Sequence, residues 1–156
     1  TPHQLTITGS SVQTLKNVLL GEVWFCSGQS NMEMPIKGLG NSPVNGANEF
    51  ILNAENPNIR LFNTERAGSL TPENDVIGSW EEANGASVSN FSAVGYLFGK
   101  KLWEQLNIPI GIIESSWGGT RIEAWLPEDA LLNYSEVNIS KTLNEDPNRR
   151  KQPTQI

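Results

Sequence analysis

The residues best suited to do chemistry sit in one short run, Cys26-Ser27-Gly28-Gln29-Ser30-Asn31-Met32-Glu33-Met34-Pro35. It follows directly on Val18 to Phe25, an apolar stretch broken at Gly21-Glu22 that reads as a strand. A serine held in a sharp turn just past a strand is presented to substrate, and the backbone N–H groups around it can stabilise negative charge. Ser30 has that position, and its chemistry would be nucleophilic attack on a carbonyl. A structural loop has the same composition, so the spacing alone leaves both readings open. A second polar turn, Glu114-Ser115-Ser116-Trp117-Gly118-Gly119-Thr120, follows another apolar run, Ile110 to Ile113. Its glycines permit close backbone approach, so this turn reads either as an ordinary Gly-Gly turn or as the source of one more N–H for an oxyanion.

Other reactive types are scarce. Cys26 is the single cysteine and His3 the single histidine, which excludes an internal disulfide and a Cys/His zinc site. The lone imidazole matters because most serine hydrolases need one beside the nucleophile. His3 precedes the first strand and reads as a solvated residue, and Cys26 reads as a buried, inert thiol. Glu22 and Glu33 flank the strand and loop, and a glycosidase-type carboxylate pair would require them to face each other.

These residues must be positioned by the elements around them. Gln4 to Thr8 alternates, Gly9-Ser10 is a turn, and Val12 to Leu15 resumes the strand pattern. Residues 36 to 58 read as a surface excursion with a short helix near Ala47 to Ala54, Ile59 to Asn63 as a strand, and residues 64 to 90 as loops. Ser92 to Leu106 carries the clearest helical period, with Val94, Leu97/Phe98, Leu102 and Leu106 close to one face. Asn90 or Ser92 caps it, and Asn107 with Pro109 ends it. Residues 122 to 143 read as partly helical, and 144 to 156 as a polar, flexible tail. Strand, helix, strand, with polar loops after the strands, is the pattern of a parallel α/β sheet whose site lies at the carboxyl ends of its strands.

The whole chain has 156 residues and 11 Lys+Arg against 17 Asp+Glu, a net charge of −6. That balance argues against nucleic acid or an anionic membrane as partner. There is no run of about 18 apolar residues and no signal-peptide pattern, and the length suits one domain.

The sequence resembles sialate O-acetylesterases and related carbohydrate esterases of the SGNH-hydrolase superfamily. Three blocks carry the resemblance in the family's order: Leu20 to Pro35, Phe91 to Gly99, and Pro109 to Trp125. It covers about residues 4 to 127. It implies a three-layer α/β/α, flavodoxin-like fold with a parallel sheet, incomplete at the C-terminus. Residues 1–20 then end an N-terminal accessory β-domain or form lead-in strands, 21–143 form the front of the esterase domain, and 144–156 the tail. The resemblance makes Ser30 the nucleophile, with its own N–H and that of Gly118, or failing that Gly119, in the oxyanion hole. Gln29, Asn31, Trp117 and Arg121 become candidate substrate contacts; Arg121 suits a substrate carboxylate, against the more ordinary reading of an exposed or structural ion pair with Glu123 or a nearby acid. Trp24 and Trp103 sit in patterns that suggest core packing.

The implied activity is removal of O-acetyl groups from a carbohydrate through an acyl-enzyme, without metal or organic cofactor. Location outside the cytoplasm (secreted, periplasmic or lysosomal) is the family habit. The family's third oxyanion donor, an Asn in a Gly-Glu-Ser-Asn-like segment, and its Asp-x-x-His segment are both absent from the sequence. The expectation is therefore a fragment of a longer hydrolase, with a separate chain as one way to complete it. The alternative is a non-catalytic carbohydrate-binding or interaction remnant.

Overall fold

The computed structural model describes residues 1–69, 72–131 and 134. The expected tail, 144–156, and the later part of the partly helical segment lie outside the described residues. In chain order the elements are β1 (His3–Thr8), β2 (Val12–Val18), β3 (Glu22–Gly28), α1 (Ser30–Glu33), α2 (Ala47–Leu52), β4 (Asn56–Asn63), β5 (Trp80–Ala83), α3 (Gly85–Asn90), α4 (Ala93–Leu106), β6 (Ile110–Ser116), a 3-10 turn (Ile122–Trp125) and α5 (Glu128–Leu131).

Strands β1 and β2 form an antiparallel pair of their own. The four-stranded sheet runs in the order β3-β6-β4-β5. β6 is parallel to both β3 and β4, and only β5 runs antiparallel, against β4. The mostly parallel α/β sheet agrees with the sequence reading.

Alternate positions along the strands separate the two faces of this sheet. Ile59 pairs with Ile110 and Leu61 with Ile112, and all four are buried together with Ile36, Val88, Phe91 and Tyr96. Helices α2, α3 and α4 supply the cover on this face, with Phe50, Ile51, Leu97 and Trp103 packed at its margin. On the opposite face Val23 pairs with Gly111 and Phe25 with Ile113. Here Val23 is 61% exposed and Phe25 64%. The described helices thus form one covering layer, and the second layer of the expected α/β/α arrangement is not among the described residues.

Helix α4 begins and ends as its sequence predicts. Ser92 Oγ accepts from the Gly95 N–H at 3.0 Å, and Asn107 stops the helix with φ 53°. Its buried side differs from the expectation: Ala93, Gly95, Tyr96 and Gly99 face the core, whereas Val94, Phe98 and Leu106 are exposed. Close approach selects the small residues, since a Cβ at Gly99 would stand 2.7 Å from Ile112 Cγ1. Residues 64 to 90, expected as loops, contain β5 and α3. Helix α3 starts in a capping box, with Asn84 Oδ1 accepting from the Ala86 and Ser87 N–H groups and Ser87 Oγ accepting from the Asn84 N–H. Trp24 is 42% exposed, contrary to its expected place in the core, because β3 is an edge strand; its ring stands edge-on to Phe98 at 5.2 Å.

The register of β3 against β6 is set where the two strands begin. The Glu22 N–H donates to Pro109 O at 3.1 Å, and a Cβ at Gly21 would lie 2.0 Å from that same oxygen. Only glycine permits this approach. From there the pairing runs without a break from Glu22↔Ile110 to Gly28↔Ser116.

Candidate active site

Because β3 and β6 are parallel neighbours in unbroken register, both polar turns emerge at the same end of the sheet. The Trp117 N–H donates to Gly28 O at 3.1 Å and fastens one turn to the other. Gln29 precedes α1 and Ser30 opens it, so the Ser30 N–H belongs to the group of N–H donors that have no acceptor within the helix. Ser30 is exposed, as are its neighbours Gln29 and Asn31. A Cβ at Gly118 would lie 3.6 Å from Ser30 Cα, so the Trp117-Gly118-Gly119 turn stands directly against the serine.

The segment after the serine is braced by the start of α4. Ile36 N–H donates to Phe91 O at 3.0 Å, Ala93 N–H to Met34 O at 2.8 Å, and Ser92 Oγ to Met32 Sδ at 3.4 Å. These bonds give the Phe91 to Gly99 block a structural reason to accompany the serine turn.

Behind the two turns lies a group of charges. Glu33, one helical turn beyond Ser30, accepts from the Gly118 N–H at 2.7 Å through Oε2, and its Oε1 pairs with the Arg66 guanidinium. Glu114 on β6 is buried, and its carboxylate takes the Ser116 hydroxyl. Burial pushes the Glu114 pKa up, and the Ser116 hydrogen bond and Arg66 charge oppose that only in part. Cys26 pairs with Glu114 across the ladder. Burial, and then the Glu114 charge, raise the Cys26 pKa, which suits an inert thiol.

The structure therefore brings together Ser30, Gln29, Asn31, Trp117, Gly118 and Gly119. Trp117 is half-buried, and its carbonyl accepts from the Thr120 hydroxyl at 2.7 Å; that hydroxyl in turn accepts from Trp125 Nε1 at 2.8 Å. Arg121 lies just beyond and is exposed, with no ion pair among the described residues, Glu123 included. His3 is at the start of β1 in the separate two-stranded sheet, and no hydrogen bond links it to Ser30. Glu22 opens the seven-residue β3 and Glu33 lies on α1 beyond that strand's far end, so they form no carboxylate pair. Arg66 had no sequence signal: it lies in a stretch read as loop, and only the fold brings it to Glu33.

Comparison with known proteins places the chain in a family. The family model for carbohydrate esterase, sialic acid-specific acetylesterase, matches residues 20–147. Sialate O-acetylesterase of Rattus norvegicus is 38% identical over 123 residues, covering 74% of this chain and 22% of that protein. The Homo sapiens protein of the same name is 35% identical over 117 residues, covering 70% of this chain and 22% of its own length. A carbohydrate acetylesterase from Xanthomonas citri, solved by crystallography, superposes with a TM-score of 0.77 at 33% identity, covering 84% of this chain and 29% of that one. The chain thus spans about a fifth of the length of the curated relatives it matches. Extensive sequence identity, a shared fold and the matched family model agree that this chain belongs to the carbohydrate esterase, sialic acid-specific acetylesterase family.

Proposed function

We propose that this chain carries the nucleophile and part of the oxyanion hole of a serine esterase that removes O-acetyl groups from carbohydrates. One observation carries the reading: the β3–β6 ladder and the Trp117–Gly28 bond bring Ser30 against the Gly118-Gly119 turn. Ser30 Oγ attacks the acetyl carbonyl carbon while a general base takes its proton. The charge that collects on the carbonyl oxygen meets the Ser30 N–H and an N–H of the glycine turn. The sugar oxygen leaves with the proton, and water then attacks the acetyl-serine and releases acetate. Trp117 and Arg121 at the rim are the contacts for the sugar, with Gln29 and Asn31 flanking the serine.

The base and its carboxylate partner are supplied from outside these residues. His3 is the single histidine and sits on the separate hairpin, and the matched relatives are several times longer. O-acetylated sialic acid is the substrate class suggested by the relatives' names, and an acetylated plant polysaccharide such as xylan is the competitor. No described helix is long and apolar enough to cross a membrane, and action on glycans outside the cytoplasm fits the family.

The complete protein carrying this sequence should hydrolyse a chromogenic acetate ester. Ser30→Ala should lower turnover by about three orders of magnitude or more. Unchanged turnover would remove Ser30 as nucleophile, and glycan binding without acetate release would favour the non-catalytic reading.

A further inference from the structure

The Gly118 amide, the oxyanion donor that the family resemblance implies first, is already engaged. Its N–H donates to Glu33 Oε2 at 2.7 Å, and the other carboxylate oxygen pairs with Arg66. The fit is close, since a Cβ at position 118 would lie 2.3 Å from that Oε2. The Glu33 side chain is 19% exposed. A carboxylate so largely withdrawn from water needs partners for its charge, and Gly118 and Arg66 supply them. An acyl oxygen turning negative could not share the Gly118 hydrogen with this carboxylate without like-charge repulsion. The next amide is different. The Gly119 N–H has no acceptor among the described residues, and its turn has φ +80° with no heavy atom within 4 Å of where a Cβ would stand.

We propose that Glu33 is a positioning residue: with Arg66 as counter-charge it clamps the Gly118 peptide to the helix of the nucleophile, leaving the Gly119 N–H as the oxyanion donor beside the Ser30 N–H. The inference rests on the reading of Ser30 as nucleophile. Its chemical sense lies in where the clamp is attached. Glu33 is on α1 with Ser30, so one side chain fixes the donor turn relative to the attacking oxygen. A displacement of about 1 Å between such groups costs about 100-fold in rate.

The test uses the complete protein treated with a fluorophosphonate, with the labelled serine read by mass spectrometry and the adduct by crystallography. The expected adduct has the phosphoryl oxygen within hydrogen-bond reach of the Gly119 N–H, with Glu33 still on Gly118. A phosphoryl oxygen on the Gly118 N–H with Glu33 displaced overturns the proposal. Kinetics give a second reading. Glu33→Ala should lower kcat about 100-fold with KM changed by less than about twofold. Glu33→Gln, which still accepts from Gly118 but cannot pair with Arg66, should stay within about tenfold of the parent. Equal losses in both variants, or a loss confined to KM, overturn the clamp. Should Glu33→Ala fail to fold, the adduct of the unsubstituted protein still decides. Label on another serine while Ser30 stays free is a distinct result: it defeats the esterase reading itself and the clamp with it.

Discussion

The two faces of the four-stranded sheet share the same strands and differ sharply in environment. On one, Ile59, Leu61, Ile110 and Ile112 are sealed beneath helices. On the other, Val23 and Phe25 stand open, while the Trp80 ring lies over Gly111 and meets Phe62 edge-on at 5.4 Å. Parallel sheets ordinarily bury both faces, and Val23 and Phe25 have the apolar character of covered residues. The contrast shows which forces hold the candidate site in place. The serine turn and the glycine turn depend on the backbone ladder and on the sealed face, through α4 and its bonds to residues 32 to 36. The open face contributes little to that placement.

The largest effect should come from the sealed face. Ile112→Ala removes a fully buried side chain beneath α4 and should cost about 2–5 kcal/mol in denaturant unfolding of the chain. Gly99→Ala acts on the same contact by overfilling it, and should cost about 1–3 kcal/mol. Glu114 gives a smaller effect with a pH signature. Its folded-state pKa is raised by burial, so the neutral form is favoured on folding. The stability this contributes is present at low pH and is lost as pH rises from the ordinary glutamate range through the raised value. Glu114→Gln should flatten that part of the stability–pH profile, and an unchanged slope would mean that another group sets it. Phe25→Ser on the open face should shift stability of the chain by no more than about 0.5 kcal/mol. A penalty matching that of Ile112→Ala would erase the distinction between the faces.

Local signals found the parts of the fold that they control. Strand β3, strand β6 and helix α4 were legible because each has an apolar pattern closed by a turn or cap, and the turn that carries Ser30 was legible as a turn because it follows one of those strands. The buried side of α4 was not, because its largest apolar residues suggest the face while glycine at 95 and 99 decides how near the sheet the helix can come. Strand β5 has four residues and α3 six, too few for a period to show, and α3 is built, Ala86 apart, from weak helix formers fixed by the Asn84 cap. The pairing of Glu33 with Gly118 and Arg66 joins three separate stretches of chain, so no local spacing announces it.

The contact of Gly21 with Pro109 gives both strands a common origin, and every later position on each is counted from it. The serine and its glycine turn are therefore aligned from about 20 Å away, the length of the intervening strand. A methyl group added at residue 21 would push the two strands apart or tilt one against the other and carry the error to the far end. On the esterase reading, turnover would then suffer from a change at the opposite end of the strand from Ser30.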